Sequence, residues 1–96
     1  LDHEAIRKIA RKELEELNER AGVRERDLRL TFSDDLIDVI ATEGFDEQYG
    51  ARHLQRTIEQ MVVGELANTL LDRPELEGNT LLVDYQNDRL HLQPTS

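Results

Sequence analysis

The feature that most restricts the fold of this chain is a change in the period of its apolar residues near residue 27. Before that point Ile6, Ile9, Ala10, Leu14 and Leu17 recur at helical spacing. Their stripe predicts one amphipathic helix from about Asp2 to Ala21, with Gly22 as its stop. From Asp27 to Phe32 the period falls to two, placing Leu28, Leu30 and Phe32 on one face of a short half-buried strand. The helical period then returns. Ser33 is a suitable N-cap, Asp34 and Asp35 suit a helix start, and Leu36, Ile37, Val39, Ile40 and Ala41 form an apolar side that Gly44 closes.

Phe45 to Gly50 reads as a turn whose aromatics, Phe45 and Tyr49, anchor it to the core. A third helical stretch starts near Ala51, with Leu54, Ile58, Met61 and Val62 on its stripe. Gly64 kinks or breaks it before Leu66, Leu70 and Leu71. Arg73-Pro74 ends the helical region. Asn79 to Tyr85 and Arg89 to Gln93 are strand-like and flank a hairpin turn at Gln86-Asn87-Asp88. Three short strands bury little alone. The expected fold is therefore α+β, a small helical domain with one three-stranded sheet, in the order helix, strand, helix, helix, helix, hairpin. The domain is expected to occupy residues 1–93, with 94–96 as a tail.

Composition narrows the function classes. In 96 residues, 38% are apolar and few are aromatic, so the core should be small and aliphatic. A formal net charge of −9 disfavours nonspecific contact with nucleic acid or anionic membranes. Arg7, Lys8, Arg11 and Lys12 cluster early, but Glu4, Glu15 and Glu16 lie at helical pair spacings to them, which reads as a solvated face. Without cysteine there is no disulfide or thiolate chemistry, which fits a reducing, cytoplasmic setting. No apolar run approaches the roughly 20 residues of a membrane-spanning helix. The chain opens at Leu1 rather than Met and is already helical in pattern, as expected of a domain from a longer protein.

Most catalytic constellations fail on spacing. His3, His53 and His91 lie far apart, with no metal-ligand motif. Asp34, Asp35 and Asp38 have helix-start reasons to be acidic and no paired base or nucleophile. Ser33 reads as a cap, and no nucleophile-elbow pattern surrounds it. A GxxxxGK[ST] phosphate loop is absent, so this chain should not hydrolyse ATP alone.

One stretch resists a purely structural reading: Gly44 to Arg56, GFDEQYGARHLQR. It puts Arg52 in the first turn of a helix and Arg56 one turn on. A cation at a helix start is locally unfavourable, and two arginines four residues apart repel each other. An anion would relieve both penalties, and phosphate suits an arginine fork. The structural alternatives are an ion pair from Arg52 to Asp46 or Glu47, and a helical pair from Arg56 to Glu59 or Gln60.

The same residues resemble the carboxy-terminal small domain of Clp-type AAA+ unfoldases, where a G-[YF]-D-x-x-Y-G-A-R-x-L-x-R pattern is typical. The resemblance spans the chain from its first helix to about Gln93. It implies that Arg52 is the sensor-two arginine reaching the terminal phosphates of ATP, that Tyr49, Gly50 and Ala51 shape the turn aiming it, and that Arg56 supports it. It further implies ATP held mainly by the protein's own large domain, no metal on this chain, neighbouring subunits of a homo-hexameric ring, and unfolded polypeptide as substrate. Disaggregation and delivery to a protease both remain open. The family often has proline where this chain has Glu47, His53 and Glu65. Two other classes stay in play: a free-standing acidic protein-interaction module without a nucleotide role, and a small enzyme for phosphorylated metabolites using Arg52 and Arg56. A Walker A loop encoded upstream would separate the first reading from both.

Overall fold

A computed structural model describes residues 2–50 and 52–95. Helix α1 (His3–Glu15) starts where Asp2, as N-cap, accepts the Ala5 N–H at 2.8 Å, and it buries Ile6, Ala10 and Leu14. It ends earlier than its apolar stripe predicts. A 3₁₀ turn at Glu16–Glu19 buries Leu17, Arg20 is extended, and a short helix α2 (Ala21–Glu25) follows. Gly22 is therefore inside a helix and not a stop. The left-handed residue that ends α2 is Asp27, at φ 53°. Its N–H donates to Arg24 O and the Leu28 N–H to Val23 O, the paired bonds of a Schellman motif, with Val23 and Leu28 both buried.

Strand β1 (Arg29–Phe32) leads directly into α3 (Asp34–Gly44), whose N-cap Ser33 accepts the Leu36 N–H at 3.1 Å. Leu36, Ile37, Ile40 and Ala41 are almost wholly buried and form the centre of the core. Arg7 of α1 reaches across to Asp34 and Asp38 of α3, and Arg11 lies 3.3 Å from Asp34. These basic residues thus pair between helices more than along their own. The same contacts give Asp34 and Asp38 a structural role.

Helices α4 (Arg52–Ile58) and α5 (Gly64–Asp72) are joined by a π-helical turn at Glu59–Val63. The sequence explains this turn. Leu54, Ile58, Val62, Leu66 and Leu70 are all buried, a repeat of four where an α-helix turns every ~3.6 residues. Over that span an unbroken α-helix would swing the stripe about 160° away from the core. The wider π turn, which adds one residue to the turn, takes up about 100° of that excess. Gly64, expected to kink or break the helix, is itself helical (φ −61°, ψ −47°), and its N–H bonds back to Glu59 O. The irregularity lies just before it.

After a 3₁₀ turn at Pro74–Leu76, β2 (Thr80–Gln86) pairs in parallel with β1 and antiparallel with β3 (Arg89–Pro94), giving the order β1-β2-β3. Asn87 and Asp88, at φ 55° and 61°, form a two-residue hairpin turn of the twist-matched kind. The α+β architecture read from the sequence is the one observed. Ordered pairing continues past residue 93: Pro94 sits opposite Leu81, and the Thr95 N–H donates to Thr80 O at 2.9 Å. Proline is tolerated there because its nitrogen falls on the open side of an edge strand.

Candidate functional site

The turn that launches α4 is built by one carboxylate. Asp46 Oδ1 accepts the N–H groups of Gln48 (2.7 Å) and Tyr49 (3.0 Å), while Asp46 O accepts the Gly50 N–H at 2.6 Å. Gly50 lies at φ +62°, a conformation that favours glycine. Ala51 falls outside the described residues. Beneath the turn, Gly44 and Leu54 bring the end of α3 against the start of α4, with Leu54 fully buried. The position of Arg52, two residues before Leu54, is set by this contact.

Phe45 packs against the core as an anchor, but Tyr49 does not: it is 60% exposed. Its N–H is held by Asp46, so the ring is free to face outward. Tyr49 instead lines a concavity of roughly 390 Å³ together with Arg52, His53 and Arg56. The structure thus brings together Tyr49, Arg52 and Arg56, three of the residues singled out from sequence, with Gly50 in the turn that leads into them.

Neither structural alternative for the arginines holds. Among the described residues, the Arg52 and Arg56 side chains make no ion pair or hydrogen bond. Asp46 is occupied by backbone donors. Glu59 pairs with Arg20 from the segment between α1 and α2, and that hydrogen bond holds the Glu59 carboxyl below its usual range and raises Arg20. Both arginines are exposed, and the concavity they share has no carboxylate among its described lining residues. Such a surface favours an anion. Arg56 also borders a second concavity of similar size, where Glu13, Glu16, Arg20, Gln55 and Glu59 meet.

His53 was not singled out by the sequence. A lone histidine one residue after an arginine carries no spacing signal, and only the turn geometry places it on the concavity. Among the described residues, no three His, Asp or Glu side chains are grouped to hold a metal ion, and no helix is long and apolar enough to cross a membrane.

Comparison with known proteins agrees with the motif. Residues 1–83 match a family model described as the C-terminal, D2-small domain of ClpB protein. The chain is 37% identical over 90 residues to Chaperone protein ClpB 2 of Nostoc sp., covering 94% of this chain and 10% of that protein. It is 38% identical over 90 residues to Chaperone protein ClpB of Vibrio cholerae, with the same two coverages of 94% and 10%. It is 36% identical over 87 residues to the mitochondrial ClpB4 chaperone of Arabidopsis thaliana, covering 91% of this chain and 9% of that protein. The chain spans about a tenth of the length of these relatives.

Proposed function

Because the chain belongs to the family of ClpB C-terminal, D2-small domains, we propose that it supplies the small-domain half of an ATP site in a AAA+ ATPase, with Arg52 as the sensor-two arginine. The observation that carries this reading is the exposed guanidinium of Arg52, unpaired among the described residues and set in a concavity without a described carboxylate. Tyr49 and Gly50 belong to the turn that aims it, with Ala51 next in the sequence but outside the described residues, and Arg56 supports it from one helical turn away.

The other half of the site is a large domain carrying the phosphate loop that this sequence lacks. ATP held there draws Arg52 toward its terminal phosphates through charge-assisted hydrogen bonds and fixes the angle between the two domains. Hydrolysis releases that contact. The rigid α3–α4 junction then carries the change to neighbouring subunits of a homo-hexameric ring in the cytoplasm. The relatives are named as chaperones, which supports unfolded polypeptide as the substrate of the whole protein, for disaggregation or delivery to a protease. In this scheme the chain binds no metal and does not hydrolyse ATP by itself.

The test is Arg52→Ala in the full-length protein. ATP turnover, or its coupling to unfolding, should fall by roughly tenfold or more, the scale for losing a donor to a reacting phosphate. The same change in the isolated chain should leave unfolding stability within about 0.5 kcal/mol, because the side chain is exposed. Normal turnover with normal coupling would overturn the assignment.

A further inference from the structure

We propose that Arg56 is a two-position residue, biased by charge toward the Glu13 and Glu16 carboxylates when no anion is present and drawn to join Arg52 when phosphate arrives. The proposal rests on the reading of Arg52 as phosphate-facing, and it adds what Arg56 does when the site is empty. Arg56 is exposed, has no partner among the described residues, and borders both concavities. The first concavity holds Arg52 and His53, with no described carboxylate; the second holds Glu13, Glu16 and Glu59.

The charges on the two sides decide the preference. Without an anion, Arg52, four residues away on the same face, repels Arg56. In the second concavity Arg20 is committed to Glu59. Glu13 accepts only a 3.3 Å bond from the neutral Gln55 amide, and Glu16 has no hydrogen-bond or ion-pair partner among the described residues. Those two are the carboxylates of that cleft that make no ion pair among the described residues. A phosphate beside Arg52 reverses the balance, because a multiply charged anion draws both guanidinium groups. Arg56 is then a positioning residue. Its departure removes a cation from between α4 and the end of α1, so that occupancy of the phosphate side is felt at α1.

Tripolyphosphate titrated into this chain, with side-chain NMR of the Arg Nε–H and Glu carboxyl groups, tests the idea. In the unaltered chain Arg52, Arg56 and Glu16 should shift with one common midpoint. Glu13→Gln with Glu16→Gln removes the competing partners and should tighten tripolyphosphate binding by roughly threefold or more, the scale of a surface ion pair. Glu15→Gln with Glu19→Gln makes the same charge change on exposed residues that do not line this cleft, and should leave the midpoint within about twofold. Equal tightening by both pairs overturns the proposal, since only net charge would then matter. A response at Arg52 with Arg56 and Glu16 unmoved overturns it while sparing the phosphate reading. Silence at Arg52 overturns the proposal, while the reading of Arg52 itself stands or falls on Arg52→Ala in the full-length protein, where the large domain holds the phosphate.

Discussion

A methyl group added at Gly44 would lie 2.6 Å from Leu54 Cδ2 and 3.1 Å from Leu54 Cα. A backbone atom cannot yield as a flexible side-chain tip can, so α3 and α4 would have to separate. Gly44→Ala should therefore cost about 1–3 kcal/mol in urea unfolding, as overpacked cores do. It should also disturb the phosphate response of Arg52, two residues from the clash. A substitution with unchanged stability would show that the helices separate freely. Gly44 reads from sequence as a helix stop, and it is indeed the last residue of α3. Its close approach to Leu54 was invisible because it depends on a crossing between elements. The candidate site divides in the same way. Arg52 and Arg56 were legible as cations set where local electrostatics disfavours them. The use of Asp46 as a turn builder, and the outward face of Tyr49 that follows, needed the backbone path.

At the scale of elements, the sheet has an edge at β1, and the fold blunts it with one side chain. Asn18 donates through Nδ2 to Leu30 O at 3.0 Å and accepts the Leu30 N–H at Oδ1 at 2.7 Å, standing in for a neighbouring strand. Asn18→Ala removes both bonds and leaves a part-buried N–H and C=O without them. A loss of about 1–3 kcal/mol is expected, together with faster aggregation on mild heating, measured by urea melts and light scattering. Unchanged stability and solubility would assign the edge no need of protection. Nothing local in the sequence marks this residue, since the bond joins positions twelve apart through the tertiary fold. The strands and α3 were legible because each has a single clear period and, for α3, a side-chain cap. The break between α1 and α2 was not: the apolar stripe continues to Leu17, and Asp27, not glycine, takes the left-handed position. The π turn was legible only in part. The repeat of four is present in the sequence, but an isolated glycine nearby offers a more obvious place for irregularity.

Over the whole molecule, one partly exposed carboxylate links the sheet to the start of α3. Asp84 on β2 accepts the Ser33 hydroxyl at 2.5 Å, its neighbour Tyr85 N–H at 2.8 Å and Gln86 Nε2 at 3.0 Å. Ser33 in turn caps α3 and donates its N–H to Val83 O. The Ser33 hydrogen bond, then that from Tyr85, hold the Asp84 carboxyl below its usual range, with cross-strand His91 adding a smaller favourable charge. A lowered folded-state value means that the unfolded chain takes up the proton first as pH falls. This contribution is complete above the ordinary carboxylate range and disappears as pH drops through the depressed folded value. Total stability against pH would blur the effect, because a chain of net charge −9 also loses self-repulsion on acidification. The difference between the unaltered chain and Asp84→Asn isolates it. At pH 7 the variant should be less stable by a few tenths to about 1 kcal/mol, a modest value because the group is partly solvated. From about pH 5 downward the two melting curves should converge. A gap that stays constant to pH 2 would mean that shape alone, and not the charge on Asp84, couples the sheet to α3.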